Sequence, residues 1–402
     1  MPLLATLRYL FPFFDPEVID WAIEARLLRW LTFVWLFIGL VILFSASYPV
    51  ADAEMGDGLY YFKRQILWVV IGLIGFNGLV RSPLRDILKY SHWLFFLFLG
   101  LIFVTLIPGV GMTVNGASRW VVVASIPLQP SELIKPFLVL ESAKVFGNWA
   151  KLPWATRLGW LSIFAVLIGA ILLQPNLSTA ALCGMSLWLI ALAAGLPLLQ
   201  LGGTALTGII LGTISISTQS YQKRRVMSFL DPWQDPMGDG YQLIQSLLAV
   251  GSGGTWGAGF GLSQQKLFYL PIQYTDFIFS VYAEEFGFVG SATLLGLLAI
   301  YGTLALIVSM KCRQPVQQLV AMGVMIFLVG QSLINIGVAT GVLPTTGLPL
   351  PMFSYGGSSV ITSLVLAGLL VRVARESNEA EVVSLQERRQ QRRGVAPTVI
   401  QE

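Results

Sequence analysis

Asp276 stands at the mouth of an intensely apolar run, Phe277-Ile278-Phe279, and a carboxylate in such a place has two uses. It can cap the helix that follows, or, with partial access to water, its pKa can rise until it serves as a general base near neutral pH. The other charges that enter apolar runs are few: Glu132 with Lys135, Glu141 with Lys144, and Glu284 with Glu285. Each costs roughly 2.5–3.5 kcal/mol at bilayer depth even on a lenient insertion scale, so each needs a partner or a wet cavity. The three-residue spacing of Glu132–Lys135 and Glu141–Lys144 sets each pair on one helix face. Lys135 is therefore either half of an internal ion pair or, with Arg119, part of a cationic rim suited to a phosphate. Glu141 and Lys144 read as a structural pair near the opposite end, and Glu284 and Glu285 face protein or water about two turns beyond Asp276.

Other chemistries lack their residues. The single histidine, His92, opens an apolar run and reads as interfacial, which leaves nothing from which to build a Ser-His-Asp triad or a His-rich zinc site. The two cysteines, Cys183 in an apolar run and Cys312 in a basic cluster, do not read as a disulfide. The segment Gly251-Ser252-Gly253-Gly254-Thr255-Trp256-Gly257 lacks the strand and helix that a dinucleotide loop requires. Its glycines suit a close approach of backbone to backbone or to a lipid headgroup.

These residues must be held by elements made for oil. Of 402 residues, 55% are hydrophobic and 11% charged, against about 25% charged in a soluble domain. Apolar runs at 30–48, 65–80, 91–107, 132–147, 158–173, 179–200, 201–217, 276–309, 318–343 and 355–371 predict an all-α, polytopic membrane protein of about ten transmembrane helices. Residues 1–26 carry no signal-peptide pattern and read as a cytosolic lead-in. Residues 27–374 form one membrane domain, and 375–402 read as a disordered cytosolic tail. With ten spans both termini share a side, and 17 of the 25 Lys and Arg residues fall there, so the positive-inside rule puts the termini in the cytosol. The same topology accounts for the +4 net charge without nucleic acid. It leaves one long extracytoplasmic loop, 218–275, between the seventh and eighth spans. That loop holds Lys223-Arg224-Arg225 and, from Met237 to Val250, an apolar face at helical spacing.

Several motifs, in order, resemble those of the SEDS family of bacterial shape, elongation, division and sporulation proteins. They are Asn115-Gly116-Ala117-Ser118-Arg119-Trp120, Gln129-Pro130-Ser131-Glu132-Leu133-Ile134-Lys135, Gln174-Pro175-Asn176-Leu177-Ser178-Thr179-Ala180 and Gly240-Tyr241-Gln242. Tyr269-Leu270-Pro271 through Thr275-Asp276-Phe277-Ile278-Phe279, Glu284-Glu285-Phe286-Gly287 and the Pro-Gly run ending Ser358-Ser359 complete the set, which covers roughly residues 30–375. The chain departs from the family pattern at Asn176 and Ser178, where an acid and a glycine are usual, and at Ile272 and Tyr274, where Glu and His are common.

The resemblance implies a glycosyltransferase that polymerises lipid II, the undecaprenyl-diphosphate-linked disaccharide-pentapeptide, on the outer face of the plasma (inner) membrane. It makes Asp276 the essential acid and assigns substrate binding to Arg119, Glu132, Lys135, Gln129, Ser131, Gln174, Tyr241, Lys266, Ser354 and Ser358. The run Leu343–Pro351 is closer to the family's division branch than to its elongation branch, which implies septal wall synthesis. Implied partners are a class B penicillin-binding transpeptidase and other divisome proteins. No cofactor is certain; a divalent cation is the one candidate, with its ligands unassigned. The alternatives are an elongation-type polymerase, a lipid II flippase or transporter, and a scaffold for division proteins. A flippase would line a path from side to side, whereas Arg119, Glu132, Lys135 and Asp276 crowd one end.

Overall fold

Leucine, isoleucine, valine and phenylalanine dominate the ten apolar runs, and in hydrocarbon such segments can satisfy their backbone groups alone only as helices. A computed structural model describes Val18 and residues 21–114, 117–123 and 126–392, and every one of those runs falls on helix. The helices are α1 (Ile23–Met55), α2 (Tyr60–Arg81), α3 (Leu84–Thr105), α4 (Pro130–Leu133) and α5 (Lys135–Gly147), followed by α6 (Trp154–Leu173), α7 (Leu177–Ala193) and α8 (Leu198–Thr218). Then come α9 (Ser220–Leu230), α10 (Tyr241–Ser252), α11 (Ile278–Lys311), α12 (Pro315–Met325), α13 (Gln331–Ala339) and α14 (Gly357–Arg392). A π-helical turn, Ile326–Gly330, joins α12 to α13.

Among the described residues eight helices are long and apolar enough to cross a bilayer, counting α12–α13 as one. The two remaining runs lie on α7, of 17 residues, and on α4 with α5, where α5 has 13. The first part of α14 is the hub, with 83% of the residues in its most apolar 18-residue stretch buried, whereas in α8 the share is 6% and Leu199, Leu206 and Ile209 turn outward. Contacts among the hub helices use small residues, as membrane packing favours: Gly72 of α2 meets Leu364, and Gly368 of α14 meets the backbone of Phe76.

The structure departs from the sequence expectations in three places. A three-stranded antiparallel sheet, β1 (Gly111–Val114), β2 (Ala117–Val123) and β3 (Ile126–Leu128), follows α3, with Met112 opposite Trp120 and Val121 opposite Leu128. The run Val121-Val122-Val123 suits a strand, and Asn115 and Gly116 lie outside the described residues. The stretch 218–275 is largely structured: α9 was not foreseen, and the expected 237–250 helix runs over Tyr241–Ser252. The tail expected to be disordered from 375 continues α14 to Arg392, and only 393–402 lie outside the described residues.

α11 breaks at Gly287, whose φ of 65° and ψ of −160° belong to a region open essentially only to glycine. The break strips helix partners from backbone groups that oil cannot hydrate, and the glycine-dense loop after α10 supplies replacements. Ala258 N donates to Glu284 O at 2.9 Å and Gly259 N to Glu285 O at 3.1 Å. In return Phe288 N donates to Gly254 O at 2.8 Å and Val289 N to Thr255 O at 3.1 Å. A Cβ on Gly287 would lie 2.4 Å from Gly257 N, so only glycine permits this docking.

Two carboxylates then fasten the next stretch of loop. Glu284 accepts from Ser263 Oγ, from Gln264 N at 2.9 Å and from Gln265 N at 3.3 Å. Glu285 accepts from Lys266 Nζ at 2.7 Å and from Ser45 Oγ of α1 at 2.6 Å, all sealed from solvent. Beyond that anchor the chain turns through Leu270–Asp276 into α11.

Gly287→Ala is expected to cost about 1–3 kcal/mol and to lower the melting temperature of the purified protein in detergent. An unchanged transition would refute the docking role of the break. Lys266→Met leaves Glu285 charged and unpaired, with an expected loss of about 3–5 kcal/mol, whereas Lys266→Met with Glu285→Leu recovers most of it. Equal losses in the single and double variants of an unfolding titration would count against a buried pair.

Candidate active site

The turn entering α11 delivers Asp276 to one end of the helix bundle, half-buried and outside the spans. The wall facing it is the non-helical strap between α13 and α14, residues 340–356. Gly347, at a φ of +74°, presents its bare face there: a Cβ at that position would lie 3.5 Å from Asp276 Oδ2 and 3.8 Å from Arg225 Nη2. A side chain at 347 would fill the space between acid and guanidinium. Arg225 comes from α9, lies 4.6 Å over the ring of Tyr221 and donates to Thr345 O at 3.2 Å. Tyr221 and Arg225 are four apart and so share a helix face.

Arg119 comes from β2 and donates to the carbonyls of Gln174, at 3.4 Å, and Pro175. Gln174 is held in turn by Thr105 at the end of α3. Burial pushes the Asp276 carboxyl above the usual carboxylate range, and Arg225 and then Arg119 draw it partly back. Burial likewise lowers the Arg119 guanidinium, with Asp276 among the groups that oppose the fall. Three charges on three separate pieces of chain thus feel one another across one space. The arrangement can take up a proton at Asp276 and balance negative charge at two guanidinium groups.

The structure distributes the other sequence-predicted residues around this space rather than within it. Lys135 is 1% exposed: its Nζ donates to Glu132 Oε1 at 2.6 Å and to Gln331 Oε1 at 3.0 Å, so it forms the internal pair and not a cationic rim. Gln331 Nε2 passes that anchor to the strap at Pro349 O, 2.7 Å away. Lys266 is spent on Glu285. Gln129 N donates to Ser358 Oγ at 2.9 Å, and Gln129 Nε2 to Ser131 Oγ at 3.4 Å. Ser354 Oγ donates to Thr275 O at 2.7 Å. Tyr241 is half-buried at the first residue of α10.

Glu141 sits at the other end of α3, where it accepts from Ser91 Oγ at 2.5 Å and pairs with Lys144 at 2.6 Å; His92 Nδ1 lies 3.7 Å from it. Asn176 caps α7 through Thr179 N, and Tyr274 stacks on Tyr61 at 4.8 Å. Among the described residues no group of three or more His, Cys, Asp or Glu could hold a metal ion. Asp276, beside two guanidinium groups, is thus the one carboxylate this space offers a divalent cation among the described residues.

Sequence reasoning named Arg225 only as one of three consecutive cations and did not separate it from Lys223 and Arg224. The Tyr221–Arg225 spacing was the available signal. Asn335, which binds the backbone of Asp276, carried none.

The chain is similar to known proteins along most of its length. The profile of the cell cycle proteins FtsW, RodA and SpoVE matches residues 25–379. A Synechocystis protein described as a probable peptidoglycan glycosyltransferase FtsW is 61% identical over 379 residues, which cover 94% of this chain and 96% of that one. A solved structure titled as the coordination of polymerization and crosslinking by a peptidoglycan synthase complex is 32% identical with a TM-score of 0.69, covering 87% of this chain and 97% of that one. The Thermus thermophilus rod shape determining protein RodA is 29% identical with a TM-score of 0.63, over 87% and 96% of the two chains. By this match along most of its length, the chain belongs to the SEDS family of FtsW, RodA and SpoVE.

Proposed function

We propose that the protein is a peptidoglycan glycosyltransferase that polymerises lipid II for septal wall synthesis, with Asp276 as its general base. The carrying observation is a single half-buried carboxylate of raised pKa, set against Arg225 and Arg119 at one end of a membrane bundle. The positive-inside count, with 17 of the 25 Lys and Arg residues on the side of the termini, supports an extracytoplasmic site with cytosolic termini in a bacterial inner membrane. The clustering of the open charges at one end, with Glu141–Lys144 closed off at the other, favours an enzyme over a flippase. A transpeptidase partner is supported by the synthase-complex title of the solved relative.

In this reading Asp276 takes the proton of the 4-hydroxyl of one lipid II sugar as that oxygen attacks the anomeric carbon of another. The carbon–oxygen bond to undecaprenyl diphosphate breaks with inversion, and Asp276 later returns the proton to water. Arg119 and Arg225 balance the charge that grows on the departing diphosphate. The diphosphate leaving group supplies the driving force, so no nucleotide is consumed.

With labelled lipid II and protein in detergent, Asp276→Asn is expected to lower polymer formation by about 10²–10⁴-fold, with an unchanged melting temperature showing that the fold is intact. Undiminished polymer rejects the assignment. Below the pKa of Asp276 the base is protonated, so the rate should fall as pH drops through a value above the usual 3.8 of an aspartate. Arg225→Gln removes the largest opposing positive charge and should move that acid limb to higher pH. A limb that stays in place would mean that Arg225 does not face the base.

A further inference from the structure

The turn that carries Asp276 has three successive carbonyls, those of Tyr274, Thr275 and Asp276, and each accepts a hydrogen bond from a distant part of the chain. Tyr355 N donates to Tyr274 O at 2.9 Å, and Ser354 Oγ to Thr275 O at 2.7 Å. Asn335 Nδ2 donates to Asp276 O at 2.8 Å. The first two donors lie on the strap. Asn335 is different, because it lies on α13 and its amide nitrogen makes a second bond to the strap, at Leu348 O, also 2.8 Å long. One side chain therefore ties the backbone of Asp276 to the residue next to Gly347, the glycine that faces its carboxylate. Three residues earlier on the same strap, Thr345 O anchors Arg225.

Asn335 is 1% exposed, and among the described residues its buried Oδ1 has no hydrogen-bond partner. A buried amide with an idle acceptor is costly. Both of its N–H groups are used, so the site keeps the side chain for its two donors. Gln331, one turn earlier on the same face of α13, holds the strap as well, through Pro349 O, while its other hydrogen bond is to Lys135. Two amides thus grip adjacent strap residues, and only one of them also grips the acid's own backbone.

We propose that Asn335 is a positioning residue that sets the spacing between Asp276 and Arg225, and with it the protonation of the base. This rests on the reading of Asp276 as the base. The strap is the shared reference: Arg225 is fixed to it at Thr345 and Asp276 at Leu348 through Asn335. Loss of the amide lets the turn shift away from the strap, so the carboxylate loses part of the field of the guanidinium while its own burial persists.

The test uses the full-length protein in detergent with fluorescent lipid II across a pH series. Asn335→Ala is expected to lower kcat by about 10- to 100-fold, to leave KM within about twofold, and to move the acid limb to higher pH. Asn335→Ser, which keeps one donor, should fall between Asn335→Ala and the parent on both scales, and it carries the test if Asn335→Ala does not fold. Gln331→Met should lower the melting temperature without moving the limb. Because the shift is transmitted through Arg225, Asn335→Ala should move the limb less in an Arg225→Gln background than in the parent.

A limb at the parental pH in both Asn335 variants, or a change confined to KM, overturns the proposal. If Asp276→Asn keeps its activity, the base reading itself fails. If Asp276→Asn is inactive while the Asn335 variants keep the parental kcat and limb, only the role given to Asn335 falls.

Discussion

A backbone group left unpaired in hydrocarbon has no water to fall back on, and the break at Gly287 creates several at once. The architecture around Asp276 follows from how they are satisfied. The loop of residues 253–261 pairs with the groups that the break releases, which fixes one end of a segment that would otherwise wander. Glu284 and Glu285, on the turn just before the break, then bind Ser263 and Lys266 further along the same loop. Only the short stretch from Leu270 to Asp276 remains, and its last three carbonyls are held by the strap, at Tyr274 and Thr275, and by Asn335 of α13, at Asp276. The acid is therefore fixed from both sides, by the loop before it and the strap beside it.

Low dielectric gives the charges two fates. Lys135 with Glu132, and Lys266 with Glu285, are buried ion pairs, extended by Gln331 and Ser45, that hold elements together. Removing one member of such a pair is costly because the other has nowhere to go. Asp276 faces guanidinium groups without a direct salt bridge, in a space that Gly347 keeps clear. An incompletely compensated acid in a half-buried place has a raised proton affinity.

The apolar runs alone located the eight helices that, among the described residues, are long and apolar enough to cross a bilayer, because 17–25 residues of oil-soluble chain admit few structures. Asp276 and Arg119 were legible for a similar reason, as isolated charges beside apolar sequence demand an explanation. Lys135 and Lys266 were legible as charges but not in their roles, since spacing shows which residues can pair and not which face of a helix is sealed. The sheet of 111–128 escaped notice because strands of three to seven residues lie below the resolution of hydropathy. Asn335 escaped because a lone amide in an apolar run acquires meaning only when a turn from 59 residues away arrives beside it.

The hub helix has a mechanical consequence. α14 begins where the strap ends, and one span further on, at Glu376, it accepts from the first backbone amide of α3, Leu84 N, at 2.7 Å. α3 then runs back through the bundle to Thr105, which grips Gln174 and, through its carbonyl, Arg119. The same Glu376 also takes Gln317 Nε2 of α12 at 3.0 Å. Strap, α14, α3 and sheet are thus joined in series, and the two sides of the space around Asp276 share a hydrogen-bonded junction at the far end of the bundle, at Glu376.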